Sequence, residues 1–314
     1  MPKVSVIIPV YGVQEYIERS AKSLFEQSLD DIEFLFINDC TTDRSVEILQ
    51  QVVEEYPNRK GQVIIHQMEH NSGQAAVRKW GALNAAGEYI FHCDSDDWID
   101  KKLLETMYNK AQEKESDVVI CDLYCTGECE DKIISGGRCK KRDDCISEMM
   151  HRNMQWSLCN KMFKKDLYNS IVFPDGDMGE DMCMCFQLMY NSQRIDYIKE
   201  LYYYYNIHTG SIVTSVSKEK ILSKYSQLSS NIRIIQDFFS DKLEDLRWVK
   251  GLKYLNHYQY EMLQPLLYDN EIKQIWQDGI RKTSLSVVFN NHVKIKYRIK
   301  ALLMYFGYYS RKWF

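Results

Sequence analysis

Residues 88–97 read Glu88-Tyr89-Ile90-Phe91-His92-Cys93-Asp94-Ser95-Asp96-Asp97. A short apolar run bounded by polar residues is the pattern of a strand buried in a parallel sheet. This one breaks directly into crowded carboxylates. Such groups repel one another unless a cation lies between them. A hard divalent ion held by one or two carboxylates, with substrate phosphates completing its shell, meets that need. A solvated acidic loop capping the next helix would account for the same charges. The position directly after a buried strand favours the ion.

Strand and helix signals alternate on both sides of this stretch. Upstream, Val4 to Val10 is an apolar run, and residues 14–27 carry Tyr16, Ile17, Ala21, Leu24 and Phe25 on one helical face. Residues 33–37 and 62–65 predict two more strands. Between them Asp43 is placed to cap a helix with Val46, Leu49 and Val53 on its apolar face. Residues 74–86 read as a helix, with Gly87 as its C-terminal glycine. Downstream, a helix over about 101–114 precedes a strand at 117–120. This alternation implies a mostly parallel sheet with right-handed crossovers. Ligands of such sheets bind beyond the carboxyl ends of the strands, where Pro9 to Tyr11, Asn38-Asp39 and Asp94 to Asp97 fall. Residues 123–155 look irregular, and from 217 onward the spacing of Tyr, Leu and Ile is helical.

Composition sets bounds but does not choose a function. With 314 residues, 45% hydrophobic and 27% charged, the chain can bury one substantial α/β core and an appended segment. A net charge of -4 gives no global signal for nucleic acid. No signal-peptide pattern opens the chain and no apolar run is long enough to span a bilayer, so a cytoplasmic location is expected, with the 10 cysteines as thiols. No G-x-x-x-x-G-K-[ST] is present, and no G-x-G-x-x-G follows the first strand. A P-loop kinase and a dinucleotide oxidoreductase are therefore disfavoured.

The opening Val4-Ser5-Val6-Ile7-Ile8-Pro9-Val10-Tyr11 resembles the start of family 2 glycosyltransferases with the GT-A fold. Further blocks agree in order and spacing. They are Ile37-Asn38-Asp39-Cys40-Thr41-Thr42-Asp43, Asn71-Ser72-Gly73-Gln74-Ala75-Ala76-Val77-Arg78, Ala86-Gly87-Glu88-Tyr89-Ile90 running into Asp94-Ser95-Asp96-Asp97, and Gly179-Glu180-Asp181. The likeness covers roughly residues 3–210. It implies a GT-A, Rossmann-like, mostly parallel nucleotide-diphospho-sugar transferase sheet over 1–215, and the helical spacing beyond predicts an α-helical region over 216–314.

The resemblance also implies roles. Pro9 and Tyr11 would line the nucleotide pocket, and Asp39 would accept a hydrogen bond from the base, as suits the imide of uracil. Asp94 would bind the ribose, and Arg78 would face the nucleotide or its phosphates. Asp96 would hold a divalent metal, Mn²⁺ or Mg²⁺, on the diphosphate. Asp181 matches the catalytic base, with Glu180 beside it on the acceptor side. Trp156 would stack on an acceptor sugar or sit in the core. His208, in the stretch Tyr202 to Ser211, would touch the diphosphate or metal, or be structural. Where the family has a glycine after Asp39, this chain has Cys40, which puts the turn in question.

The implied activity is inverting transfer of a sugar from a UDP-linked donor to a saccharide, in surface-polysaccharide assembly on a lipid-linked acceptor. A nucleotidyltransferase and a non-catalytic nucleotide-sugar-binding protein are the rivals. The former would carry a basic, Gly-rich loop after the first strand, where this chain has Pro9-Val10-Tyr11-Gly12-Val13. Residues 292–314 hold Lys294, Lys296, Arg298, Lys300, Arg311 and Lys312 and no acid, interleaved with aromatic and aliphatic residues. That composition suits the anionic inner face of a plasma membrane, or a helix packed on the protein or in a dimer.

Overall fold

A computed structural model describes residues 1–208, 217–242 and 245–309. The first half is a wound α/β unit. Strands β1 (Val4–Val10), β2 (Ile32–Asn38), β3 (Val63–Gln67) and β4 (Tyr89–His92) run parallel, with β1 between β2 and β4. Helices α1 (Ile17–Phe25), α2 (Ser45–Glu55) and α3 (Gln74–Asn84) make the crossovers. The apolar runs of β1, β2 and β4 form strands here because both faces are covered, while β3 at the sheet edge is only partly buried. Val6 and Ile8 of β1 join the layer of α1 and α2, and Ile7 joins the layer of α3 on the other face.

Beyond β4 the sheet departs from simple alternation. The two-residue strand β5 (Trp98–Ile99) and helix α4 (Leu103–Lys114) lead to β6 (Val118–Gly127). Strand β7 (Lys132–Ile134) pairs back on β6, and helix α5 (Arg142–Met150) follows. Then β8 (Lys161–Lys164) inserts antiparallel between β4 and β6. Helix α6 (Glu180–Asn191) precedes the long β9 (Ile195–Ile207), which runs parallel to β6. The full order is β3-β2-β1-β4-β8-β6-β9-β5. Residues 123–155 are thus more regular than their composition suggests.

Helices α7 (Lys218–Phe239), α8 (Leu246–Glu261), α9 (Asn270–Val288) and α10 (Ile295–Tyr305) follow. Leu228, Ile232 and Phe239 of α7, with Trp248 and Leu255 of α8, share one apolar cluster with Met182, Phe186 and Met189 of α6. A smaller cluster joins Trp276 and Ile280 of α9 to Met304 of α10. The helical region therefore shares core with the sheet unit and adds a core of its own. No helix among the described residues is long and apolar enough to cross a membrane.

Gly87 does not act as the helix terminator expected of it. Helix α3 ends at Asn84, and a Cβ on Gly87 would lie 2.5 Å from the backbone nitrogen of Ser5. This glycine is needed because β1 passes close beside it. Its N–H donates to Ser5 Oγ, part of a buried network in which the Ser5 hydroxyl donates to Glu33.

The turn after β2 keeps a glycine-like shape without glycine. Cys40 has φ 58°, in the left-handed region. That conformation costs an L-residue about 1–2 kcal/mol, while glycine gives back about 0.5–1 kcal/mol in chain entropy. The Cys40 thiol recovers a weak contact to Met68 O at 3.2 Å. Replacing Cys40→Gly is expected to leave stability unchanged or raise it by up to about 1 kcal/mol. Urea unfolding midpoints check this, and a clear loss of stability would show that the thiol contacts hold the turn.

Candidate active site

The carboxyl ends of β1, β2 and β4 meet at one edge of the sheet, and short polar links fix their loops. Ser95 donates to Pro9 O at 2.6 Å, latching the acidic loop to the end of β1. The N–H groups of Gly12 and Gln14 donate to Thr41 Oγ1 and Asp43 Oδ2, which ties the loop after β1 to the loop after β2. Tyr11 stands open above this junction at 54% exposure.

Asp39 is buried at the end of β2, and its two oxygens accept the N–H groups of Ser72 at 2.7 Å and Gly73 at 2.9 Å. Each carboxylate oxygen has a further lone pair. Gly73 has φ 85°, and a Cβ there would lie 2.6 Å from the Asp177 carboxylate. Asp177 in turn accepts from Ala75 N at 2.9 Å, which caps α3. Asp177 was not singled out from the sequence. It lies about a hundred residues from the helix it caps, so no local pattern reveals it.

The acidic loop divides into groups with different partners. Asp97 is buried and accepts from Tyr203 Oη at 2.5 Å and from Asn206 N at 2.7 Å. Tyr203 also accepts from Asp94 N, so β9 clamps the loop from below. Burial, with Asp96 and Asp94 nearby, pushes the Asp97 carboxyl well above the usual range. Asp96 lies further out. Its Oδ2 is 2.9 Å from His208 Nε2, and the His208 ring stacks on Tyr16 with centroids 4.5 Å apart. Burial and the neighbouring Asp94 raise its pKa as well. Thr209, Gly210 and Ser211, from the same sequence block as His208, lie outside the described residues.

Among the described residues no group of three or more His, Cys, Asp or Glu side chains forms a metal cage. Asp96 and His208 nevertheless bring an oxygen and a nitrogen together, on a loop whose carboxylates repel one another. This incomplete set fits an ion that takes its remaining ligands from phosphate oxygens and water.

Arg78 is oriented differently from the sequence expectation. It is buried on α3, and its guanidinium does not lie in the open cleft. It bridges Asp94, at 2.5 Å, and Glu180 on the first turn of α6. Burial works against its charge, but Asp94, Glu180 and Asp181 raise its pKa on balance. Glu180 is buried too. Burial, with repulsion from Asp181, Asp94 and Asp177, outweighs the attraction of Arg78 and lifts this carboxyl to about 8. Asp181 is only half-buried, and its Oδ1 accepts its own helix's Met182 N at 2.7 Å. Burial raises its pKa while Arg78 draws it down. Of the adjacent pair, Glu180 turns into the protein and Asp181 is the more open.

Trp156 is half-buried in the loop before β8, its ring 6.4 Å from Phe186 and 5.9 Å from Tyr258 of α8. That loop is held by Lys161, a fully buried lysine whose Nζ donates to Gln155 O, Ser157 O and Asn160 Oδ1. The stretch from Trp156 to Asp166 resembles a Trp/Lys-containing segment of the family, but Lys161 received no role from the sequence, since a lysine held by carbonyls, with no ion pair among the described residues, leaves no charge-pair signal.

Polar residues gathered at three parallel strand ends, an acidic loop after β4 and carboxylates at the start of α6 sit on a GT-A fold. The chain belongs to glycosyl transferase family 2, whose family model matches residues 5–173. It is similar to the glycosyltransferase GlyA of Streptococcus pneumoniae serotype 4, at 30% identity over 222 residues, 67% of this chain and 31% of that protein. It is also similar to the poly(ribitol-phosphate) beta-N-acetylglucosaminyltransferase TarP of Staphylococcus aureus strain N315. That match is 30% identical over 212 residues, 65% of this chain and 62% of that protein. The chain thus spans about a third of GlyA and under two thirds of TarP. In fold it resembles S. aureus TarS 1-349 in complex with UDP-GlcNAc, with TM-score 0.62 and 21% identity over 98% of this chain and 93% of that one. Its family makes the protein a glycosyltransferase of the family 2 type.

The raised pKa of Glu180 makes a testable link to stability. Between about 4.5, the ordinary glutamate value, and about 8, the unfolded chain releases this proton and the folded chain keeps it. Its contribution is therefore fully present below about 4.5 and is lost as pH rises through about 8. Glu180→Gln should flatten the fall in stability over that window. Melting temperatures of both proteins across the window check this, and equal slopes would contradict it.

Proposed function

We propose that the protein transfers a sugar with inversion from a UDP-linked donor to a hydroxyl of a saccharide acceptor. The observation that carries this reading is the buried bridge from Asp94 through Arg78 to Glu180, with the more open Asp181 beside it. It couples the donor end of the sheet to the residue placed to receive the acceptor's proton.

Pro9, Tyr11 and Asp39 take the nucleoside, Asp39 with lone pairs its two N–H bonds leave free. Asp94 receives the ribose. Asp96 and His208 are the groups that would hold Mn²⁺ or Mg²⁺ at the diphosphate. When bound, such an ion neutralises charge on the leaving nucleotide. Asp181 accepts the proton of the attacking hydroxyl as the bond to the anomeric carbon forms on the opposite face. Glu180, turned inward, positions Asp181 through Arg78 and does not itself reach the acceptor. Trp156 and Tyr258 offer aromatic surface on the acceptor side.

The UDP-GlcNAc bound to TarS, a neighbour in fold, supports the donor class. The β-product named for TarP supports inversion, since UDP-GlcNAc is an α-linked donor. The poly(ribitol-phosphate) in the name of the same relative supports a polymeric acceptor. A lipid-linked acceptor would place the enzyme at the cytoplasmic face of the membrane. Non-catalytic binding is disfavoured because a carboxylate left open at the start of α6 serves proton acceptance and is not needed to hold a donor.

A panel of nucleotide sugars with Mn²⁺ or Mg²⁺, scored by nucleotide release, tests the whole reading. UDP sugars should turn over, a chelator should abolish turnover, and Asp181→Asn should lower kcat by about 10² to 10⁴ while donor affinity holds. Transfer at wild-type kcat by Asp181→Asn would remove the base assignment. Full activity in excess chelator would remove the metal.

A further inference from the structure

The basic, aromatic C-terminal segment is not used by the transfer reaction, and its described part resolves into two faces. On one side of α10, Ala301 and Met304 are buried and Tyr297 partly so, against residues of α8 and α9. The helix turns about 100° per residue, so Ile295, Ile299, Leu302 and Phe306 fall within about 60° of one another on the opposite side. They are exposed by 64%, 52%, 39% and 67%. Phe289, in the turn before the helix, and Tyr308, just beyond it, are exposed by 73% and 66%. The helix is thus packed on one face and open on the other.

Charge narrows what can cover this ridge. Exposed Lys294 and Lys296 flank it, and exposed Arg281 on α9 lines a cavity beside Phe306. No acidic residue occurs from 292 to 309, and the exposed acids of α9 are Glu271 and Asp278. A second copy docked ridge to ridge would set lysines against lysines with no carboxylate in the segment to pair them. An anionic bilayer supplies what is missing: an apolar layer for the ridge and phosphates for the flanking cations. The helix is too short to span, so it would lie in the plane of the interface.

We propose that α10 docks the protein on anionic lipid. Ile295, Ile299, Leu302 and Phe306 enter the acyl boundary, and Lys294, Lys296 and Arg281 meet the headgroup phosphates. The inference rests on the reading above for its purpose, a lipid-borne acceptor, but its test does not depend on turnover. Arg311, Lys312, Trp313 and Phe314 lie outside the described residues and are not needed for it.

Co-sedimentation of the full chain with phosphatidylcholine vesicles, with and without phosphatidylglycerol, tests the proposal. The wild type should bind only the anionic vesicles and release in high salt. Ile299→Glu/Phe306→Glu and Lys294→Glu/Lys296→Glu should each weaken binding by roughly ten-fold or more. Both should keep nucleotide release and melting temperature, since these side chains are exposed. Absent wild-type binding, or equal binding by the variants, overturns the proposal. So does a wild-type oligomer in analytical ultracentrifugation that Ile299→Glu/Phe306→Glu dissociates, since the ridge would then be covered by another copy. A chain that binds vesicles but releases no nucleotide would contradict the transferase reading and support the docking.

Discussion

A guanidinium taken out of water costs several kcal/mol unless carboxylates face it, and Arg78 is almost fully buried. Its terminal nitrogens meet Asp94 at the end of the sheet and Glu180 at the start of α6, residues far apart in the chain. Removing Asp94 from such a group typically costs about 3–5 kcal/mol, because the Arg78 charge stays buried without its ionised partner, while Glu180, which keeps its proton up to about 8, accepts from the guanidinium through a carboxyl oxygen. The position of α6 relative to β4, and hence of Asp181 relative to any donor at Asp94, depends on this pairing. Gly179 permits it by entering the helix with φ 78°.

A second constraint works alongside. Asp97 binds Tyr203 and Asn206, which fastens β9 under the acidic loop. His208 follows directly after β9 and is thereby brought to Asp96. The loop's carboxylates therefore differ in use: Asp97 holds structure, Asp94 faces Arg78 and Asp96 faces outward with the imidazole. Burial and neighbouring carboxylates raise the pKa values of Asp96 and Asp97, so a cation that met them would relieve repulsion already present in the fold.

The parallel half of the fold was legible because strands buried on both faces must be continuously apolar, as Val4 to Val10 and Tyr89 to Phe91 are. Strand β8 was not, since it is short and begins and ends in lysine, one of which is buried through carbonyl contacts. Strand β9 hid in a run of tyrosines whose alternation shows only once Tyr203 is seen inside. The acidic run Asp94 to Asp97 was visible by type and position after a strand, and the blocks at Asp39 and Asp181 through their resemblance to family 2 glycosyltransferases. The direction of Arg78 was not, because position on a helix does not say which carboxylates tertiary packing will bring to it. Nor could composition alone separate the two faces of α10.

The central claim is that Arg78 and Glu180 act as one unit to position Asp181. The most direct measurement is a double-mutant cycle in kcat, at saturating donor, with Arg78→Gln, Glu180→Gln and the two combined. If they form one unit, Arg78→Gln lowers kcat by about 10²-fold, as misplacement of a catalytic group does, and adding Glu180→Gln costs little more. Losses that multiply independently in the double variant would contradict the account.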